Sequence, residues 1–144
     1  MRRRWLFVAA VVGGCATAEK KPEVPPPPSF SLADVAGTWN VKAMRDTGDV
    51  VLVEYQMTGT ANPATWTMTL PNRGPIGIKV SVDGDSLMTD TGPFESVLRK
   101  GVVVATTGVV RLREGQLVGK FVAKYATRMV DSVLTGRTVA TRQP

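Results

Sequence analysis

The chain has one cysteine, Cys15, and it closes the stretch VVGGC at positions 11–15. Its thiol is the only strongly nucleophilic group on offer, because histidine is absent altogether. Without imidazole there is no general base of that kind, no Ser-His-Asp or Cys-His arrangement and no ordinary zinc site. Carboxylates are the remaining source of chemistry. Asp83 and Asp85 stand two apart in DGDS, a start on a calcium loop. The further oxygen ligands and the glutamate at fixed spacing that such a loop needs do not follow, so Asp83-Gly84 reads as a hairpin turn. A glycoside-cleaving acid pair would have to come from Glu54 and Glu95, and nothing in their positions brings them together. Arg73 in PNRGP and the trio Glu95, Arg99 and Lys100 read as solvated or ion-paired surface groups. The expectation is a non-enzymatic protein with no catalytic residue, no metal and no cofactor.

Charge narrows the partners. The formal net charge is +6, and Arg2, Arg3 and Arg4 supply half of it. The rest of the chain has no dense basic run and few aromatics on which bases could stack, which argues against nucleic acid. Those three arginines open a pattern that continues with an apolar run from Trp5 to Val12 and the small pair Gly13-Gly14. This is the layout of an export signal, and the run is far shorter than the roughly 20 residues a membrane-spanning helix needs. In this setting VGGC resembles the lipobox of bacterial lipoproteins. The resemblance implies that residues 1–14 are a signal peptide, that Cys15 is acylated, and that it becomes the first residue of the mature chain. The implied partner is membrane lipid, and the implied location is the cell envelope. In an organism with two membranes, Ala16 after the cysteine points to the outer membrane, facing the periplasm. The alternative is that Cys15 is an ordinary buried thiol. Residues 15–30 form the tether. Their run of four prolines favours extended polyproline geometry, a stalk that stands the following domain off the lipid.

Residues 31–144 make one domain, since a chain of 144 residues with 43% hydrophobic content supplies a single core. From Phe30 onward Gly, Pro and Asp-Gly recur at short intervals, and between them apolar residues fall at every second place, the strand period. Trp39, Val41 and Ala43 share a face; so do Val51, Val53, Tyr55 and Met57; so do Trp66, Met68 and Leu70; so do Ile76, Ile78, Val80 and Val82. Further strands are expected at 86–91 with a continuation at 94–98, and at 102–113, 116–127 and 131–141. The reading is all-β: an antiparallel up-and-down barrel of about eight strands, with one helical turn at 31–35. The opening LADVAGTWNVKAM, residues 32–44, resembles the start of a lipocalin or related calycin barrel. The resemblance implies that Gly37 and Trp39 close one end of the barrel and that an arginine of the last strand, Arg137 in preference to Arg142, packs over the indole.

An eight-stranded barrel is just wide enough inside to be filled by side chains or to hold one small ligand. Tyr55, Met57, Trp66 and Met68 are the candidate lining, thioethers being well suited to apolar guests. Several strands are apolar on both faces, at 50–53, 102–105 and 109–110. A solvated exterior does not need that, so self-association or an envelope protein partner is a second expectation. The functional reading is therefore a lipid-anchored barrel that binds a small hydrophobic molecule. Its rival is an interaction module with a packed interior, working through its outer surface, with protease inhibition as one form.

Overall fold

The computed structural model of this chain describes Gly14, residues 30–128 and residues 132–144. Residues 1–13 and 15–29 lie outside the described residues, and with them the expected signal peptide, the expected lipidation of Cys15 and the expected tether. The domain is all-β. Strands β1 (Gly37–Arg45), β2 (Val51–Gly59), β3 (Thr67–Thr69), β4 (Ile76–Asp83), β5 (Ser86–Glu95), β6 (Val103–Arg113), β7 (Gln116–Tyr125) and β8 (Val133–Arg142) follow one another around a closed barrel. Every neighbouring pair is antiparallel, and β8 returns to β1 from Trp39 opposite Arg142 to Arg45 opposite Gly136. Closure gives every strand a neighbour on both sides, which removes the long free edges of an open sheet. Two 3₁₀ turns, Leu32–Val35 and Pro63–Thr65, are the helical elements among the described residues.

The strand pattern is the one the alternation predicts, with local differences. Trp66 precedes β3 instead of beginning it. β5 runs on past Gly92-Pro93 to Glu95, with the ladder to β6 slipping between Thr91 and Phe94. Proline offers no amide hydrogen to a ladder, so an irregularity belongs there. Val97 and Leu98 lie in the loop after β5 and not in a strand.

The two ends of the barrel are built differently. At one end the β4–β5 and β6–β7 hairpins turn in two residues, Gly84-Asp85 and Glu114-Gly115. Glu114 (φ 50°) and Gly115 (φ 79°) both take the positive dihedrals that a tight hairpin matched to strand twist requires. The chain arrives at this end through Leu32–Val35. The β2–β3 connection at 60–66, with its 3₁₀ turn, is also at this end, while the opposite end carries the connections at 46–50, 70–75, 96–102 and 126–132. We refer to them as the floor and the mouth.

Side chains from the alternating inward positions make a main core of Val35, Trp39, Val41, Met57, Trp66, Met68, Leu70, Ile78, Leu87, Val110, Leu117 and Ala140. A smaller cluster of Val104, Ala123 and Tyr125 lies toward the mouth. Trp66 settles on Gly59, where a side chain would collide with the indole at 2.4 Å, and its Nε1–H donates to the Thr60 carbonyl at 2.9 Å. On β6, β7 and β8 several inward positions hold small residues, Gly108, Gly119, Ala123, Gly136, Thr138 and Ala140, beside the larger Leu117, Phe121 and Tyr125 of β7. Tyr55, Met57 and Met68 project from β2 and β3. That imbalance is what leaves space inside.

Candidate functional site

The floor of the barrel is Trp39. It is fully buried, and its Nε1–H donates to the Val35 carbonyl at 2.9 Å, so the turn before β1 is fastened to the indole that it delivers. Gly37 two residues earlier has φ +129°, which few side-chain-bearing residues adopt. This conformation brings the chain from the 3₁₀ turn into β1 without displacing Arg142, whose Nη1 lies where a Cβ at position 37 would make a tight 3.2 Å contact. The arginine over the indole is Arg142, its guanidinium carbon 4.5 Å from the ring centroid, with Nη2 donating to the Asp34 carbonyl at 2.9 Å and Nη1 to that of Ala36.

This corrects the expectation for Arg137. Its strand series, Val133, Thr135, Arg137 and Val139, faces outward; the inward series is Leu134, Gly136, Thr138, Ala140 and Arg142. Arg137 instead clamps the β1–β2 loop at the mouth end, with Nε donating to the Arg45 carbonyl at 3.2 Å, Nη2 to the Gly48 carbonyl, and Asp49 at 3.9 Å. The reason is volume. Opposite Phe121 and the large residues of β2, β8 must be small on its inner side, so its bulky and charged residues go out.

Above the floor lies a cavity of about 100 Å³ that opens toward the mouth. Tyr55, Met57 and Met68 line it, as the sequence predicts. Trp66 does not: held against Gly59, it belongs to the packed floor. The walls are mainly apolar, with Phe94, Phe121 and Leu134 toward the mouth. Sequence reasoning missed a set of hydroxyls among them, on Thr89, Thr91, Thr106 and Thr138. Thr91 and Thr138 are buried. Neither they nor the Tyr55 hydroxyl has a hydrogen-bond partner among the described residues, and no side-chain oxygen or nitrogen there that is sealed from solvent lacks one. Thr91 and Thr138 line the cavity, and Tyr55 stands between it and an outer cleft bordered by Asn40, Gln56 and Thr69. The alternation that marks them as inward was readable; threonine's ordinary preference for strands concealed it.

Burial pushes the Tyr55 phenol up to about 12 from its usual 10.0. It is neutral and able to donate throughout the physiological range. Linkage fixes the sign of the alkaline limb. The unfolded chain gives up this proton near pH 10 and the folded one near 12, so stability holds below pH 10 and declines as pH rises between those values. In a spectrophotometric titration of the native protein, one phenolate should appear about two pH units late, and Tyr55→Phe should remove that late step.

The acidic turn at the floor has another use. Asp85 pairs with Arg111 at 3.5 Å and Arg113 at 3.3 Å. Partial desolvation pushes its carboxyl up, but the Arg113 hydrogen bond and the Arg111 charge outweigh it and hold the group below the usual carboxylate range. Two guanidiniums already occupy the oxygens that a cation would need. Among the described residues no three His, Cys, Asp or Glu side chains cluster as a metal site would require. Glu95 is likewise committed, its Oε1 accepting from the Gly101 amide at 3.1 Å. No protein-family model matches this chain, and neither the curated proteins nor the solved structures provide a similar one.

Proposed function

We propose that this protein is a lipid-anchored, non-enzymatic barrel of the cell envelope that takes a small apolar molecule into its interior. The observation that carries the reading is the hollow of about 100 Å³ between the Trp39 floor and the mouth, mainly apolar, with threonine hydroxyls in its lining that have no hydrogen-bond partner among the described residues. A packed interior would have no reason to leave Thr91 and Thr138 facing space. The size limits the guest. A cavity of about 150 Å³ is known to hold a benzene-sized molecule, and drug-sized ligands need roughly 300–1,000 Å³. The expected ligand is therefore a compact apolar molecule, or one end of a longer chain whose remainder leaves by the mouth. A single hydroxyl or carbonyl group would meet the threonine and tyrosine hydroxyls. The floor itself, an indole reached through Gly-x-Trp and covered by an arginine of the last strand, supports the likeness to the lipocalin and calycin barrels.

The anchor rests on the lipobox-like VGGC. Replacing Cys15 with Ser should abolish metabolic labelling by radioactive palmitate and move the protein from the membrane fraction to the soluble one. The cavity is tested by titrating the chain with benzene or 1-hexanol and following the methionine methyls by NMR. Saturable shifts of Met57 and Met68, lost when Ala140→Leu fills the space, are expected. Shifts that never saturate, or that Ala140→Leu leaves unchanged, would favour the rival reading of work done by the outer surface. That rival draws on Met88 and Val109, which face each other across β5 and β6, both exposed on the barrel wall.

A further inference from the structure

The apolar residues left exposed on this barrel are not scattered. Of the eight large ones among the described residues, six are at the mouth: Val50, Val51, Val97, Leu98, Val103 and Val133. Val97 and Leu98 are 42% and 44% exposed and sit side by side at the tip of the β5–β6 loop, followed at once by Arg99 and Lys100.

That loop is built to hold them out. The Ser96 hydroxyl accepts from the amides of both Leu98 and Arg99, at 3.1 and 3.0 Å. Ser96 N–H donates to the Val102 carbonyl at 2.8 Å, and Val102 N–H returns to that of Arg99 at 3.1 Å. Arg73 reaches across from the β3–β4 loop to the carbonyls of Glu95 and Ser96, and Arg99 stacks on the Tyr125 ring at 4.1 Å. The loop holds both aliphatic side chains at the rim, where each borders the cavity and is also exposed to solvent.

Charge identifies what they meet. Lys100, Arg128 and Lys124 are exposed on the same side of the mouth. Among the described residues the nearby acids are engaged: Glu95 accepts from the Gly101 amide, Asp46 accepts from the Thr135 hydroxyl on β8, and Asp49 lies 3.9 Å from Arg137. A second copy seated mouth to mouth would set these cations against themselves. A flat protein partner would not suit apolar side chains spread around the rim of an opening. A fluid surface of anionic lipid suits both features, because it admits separate aliphatic tips between its molecules and offers phosphates to the cations beside them.

We propose that the mouth of the barrel docks on an anionic lipid surface, with Val97 and Leu98 entering the interface and Lys100, Lys124 and Arg128 meeting phosphates. This does not depend on the cavity holding a ligand. All strands and both core clusters lie within residues 30–144, so the test uses that domain alone, without Cys15 and without the basic, apolar residues 1–14, which would themselves bind anionic lipid. The domain's sedimentation is measured with vesicles of phosphatidylglycerol and phosphatidylcholine, and with phosphatidylcholine alone. Preferential binding to the anionic vesicles is expected. Lys100→Glu with Arg128→Glu should weaken it by at least about 30-fold, at roughly fivefold for each cation lost. Val97→Asp with Leu98→Asp should weaken it by at least about tenfold while leaving the circular dichroism spectrum unchanged. Equal binding to both vesicle types, no binding to either, or variants that bind as the parent does would overturn the proposal. So would a dimer seen by sedimentation velocity that the aspartate variant dissolves, with no vesicle binding.

Discussion

Trp39→Ala should cost about 3–5 kcal/mol of folding free energy, the range for deleting a large buried aromatic whose surroundings relax only in part. Typical domains are stable by about 5–15 kcal/mol, so this one substitution removes a large share. The physical basis is threefold. The indole is fully buried in the main core. Its Nε1–H holds the Val35 carbonyl, so its loss frees the turn that leads into β1. Arg142 would be left stacked over a void with its bonds to Asp34 and Ala36 unsupported. Urea unfolding followed by circular dichroism measures this, and a lowered midpoint with an unchanged slope marks a stability effect. A loss below about 1 kcal/mol would show that the floor is not where the barrel is locked.

The second large effect is expected at a residue with no side chain. A Cβ on Gly119 would lie 1.9 Å from the Val109 carbonyl oxygen and 2.7 Å from the Val110 Cα. Those atoms are backbone in the adjacent strand, and no rotamer change can move them. Gly119→Ala should therefore push β7 away from β6 in the longest ladder of the barrel, which pairs Val104 through Arg113 with Tyr125 through Gln116. The cost should be at least about 3 kcal/mol, at the top of the usual range for overpacking. Gly77→Ala is the matched control. It lies in β4 with nothing within 4 Å of an added methyl, so it should change stability by no more than about 0.5 kcal/mol. Equal effects at the two positions would contradict the close approach of β6 and β7.

The same glycine shows where reading a sequence works for this fold and where it stops. Strands β1 to β4 declare their inner faces because one alternating series is large and apolar and the other is polar, as in Trp66, Met68 and Leu70 against Thr65, Thr67 and Thr69. In β8, and along most of β6, both series are small or β-branched. Val133, Thr135 and Val139 look more like a core than Gly136, Thr138 and Ala140 do, yet the latter face in. An interior that must accommodate Phe121 and Tyr55 from opposite walls selects for smallness on the facing strands, and hydropathy does not register smallness. The choice of Arg137 over Arg142 failed for that reason. So did any anticipation of the hydroxyls, because Thr89, Thr91, Thr106 and Thr138 are unremarkable strand residues until the ring closes and sets them around one space. The eight strands and the Trp39 floor were legible; the hollow was not, since it depends on which side chains fail to meet.

Although the barrel is closed, its circumference is unevenly sewn. β3 has three residues, and it meets β4 only at Thr67 opposite Gly77 and Met68 opposite Ile76, with one more bond from the Ile78 amide to the Trp66 carbonyl. Whatever thermal breathing the wall undergoes will concentrate at this thin stitch, while the broad panel of β5 to β8 keeps its shape. Met68 sits on the stitch and lines the cavity as well. The interior thus has a side seam besides its upper opening, and the seam is the part of the wall that yields first.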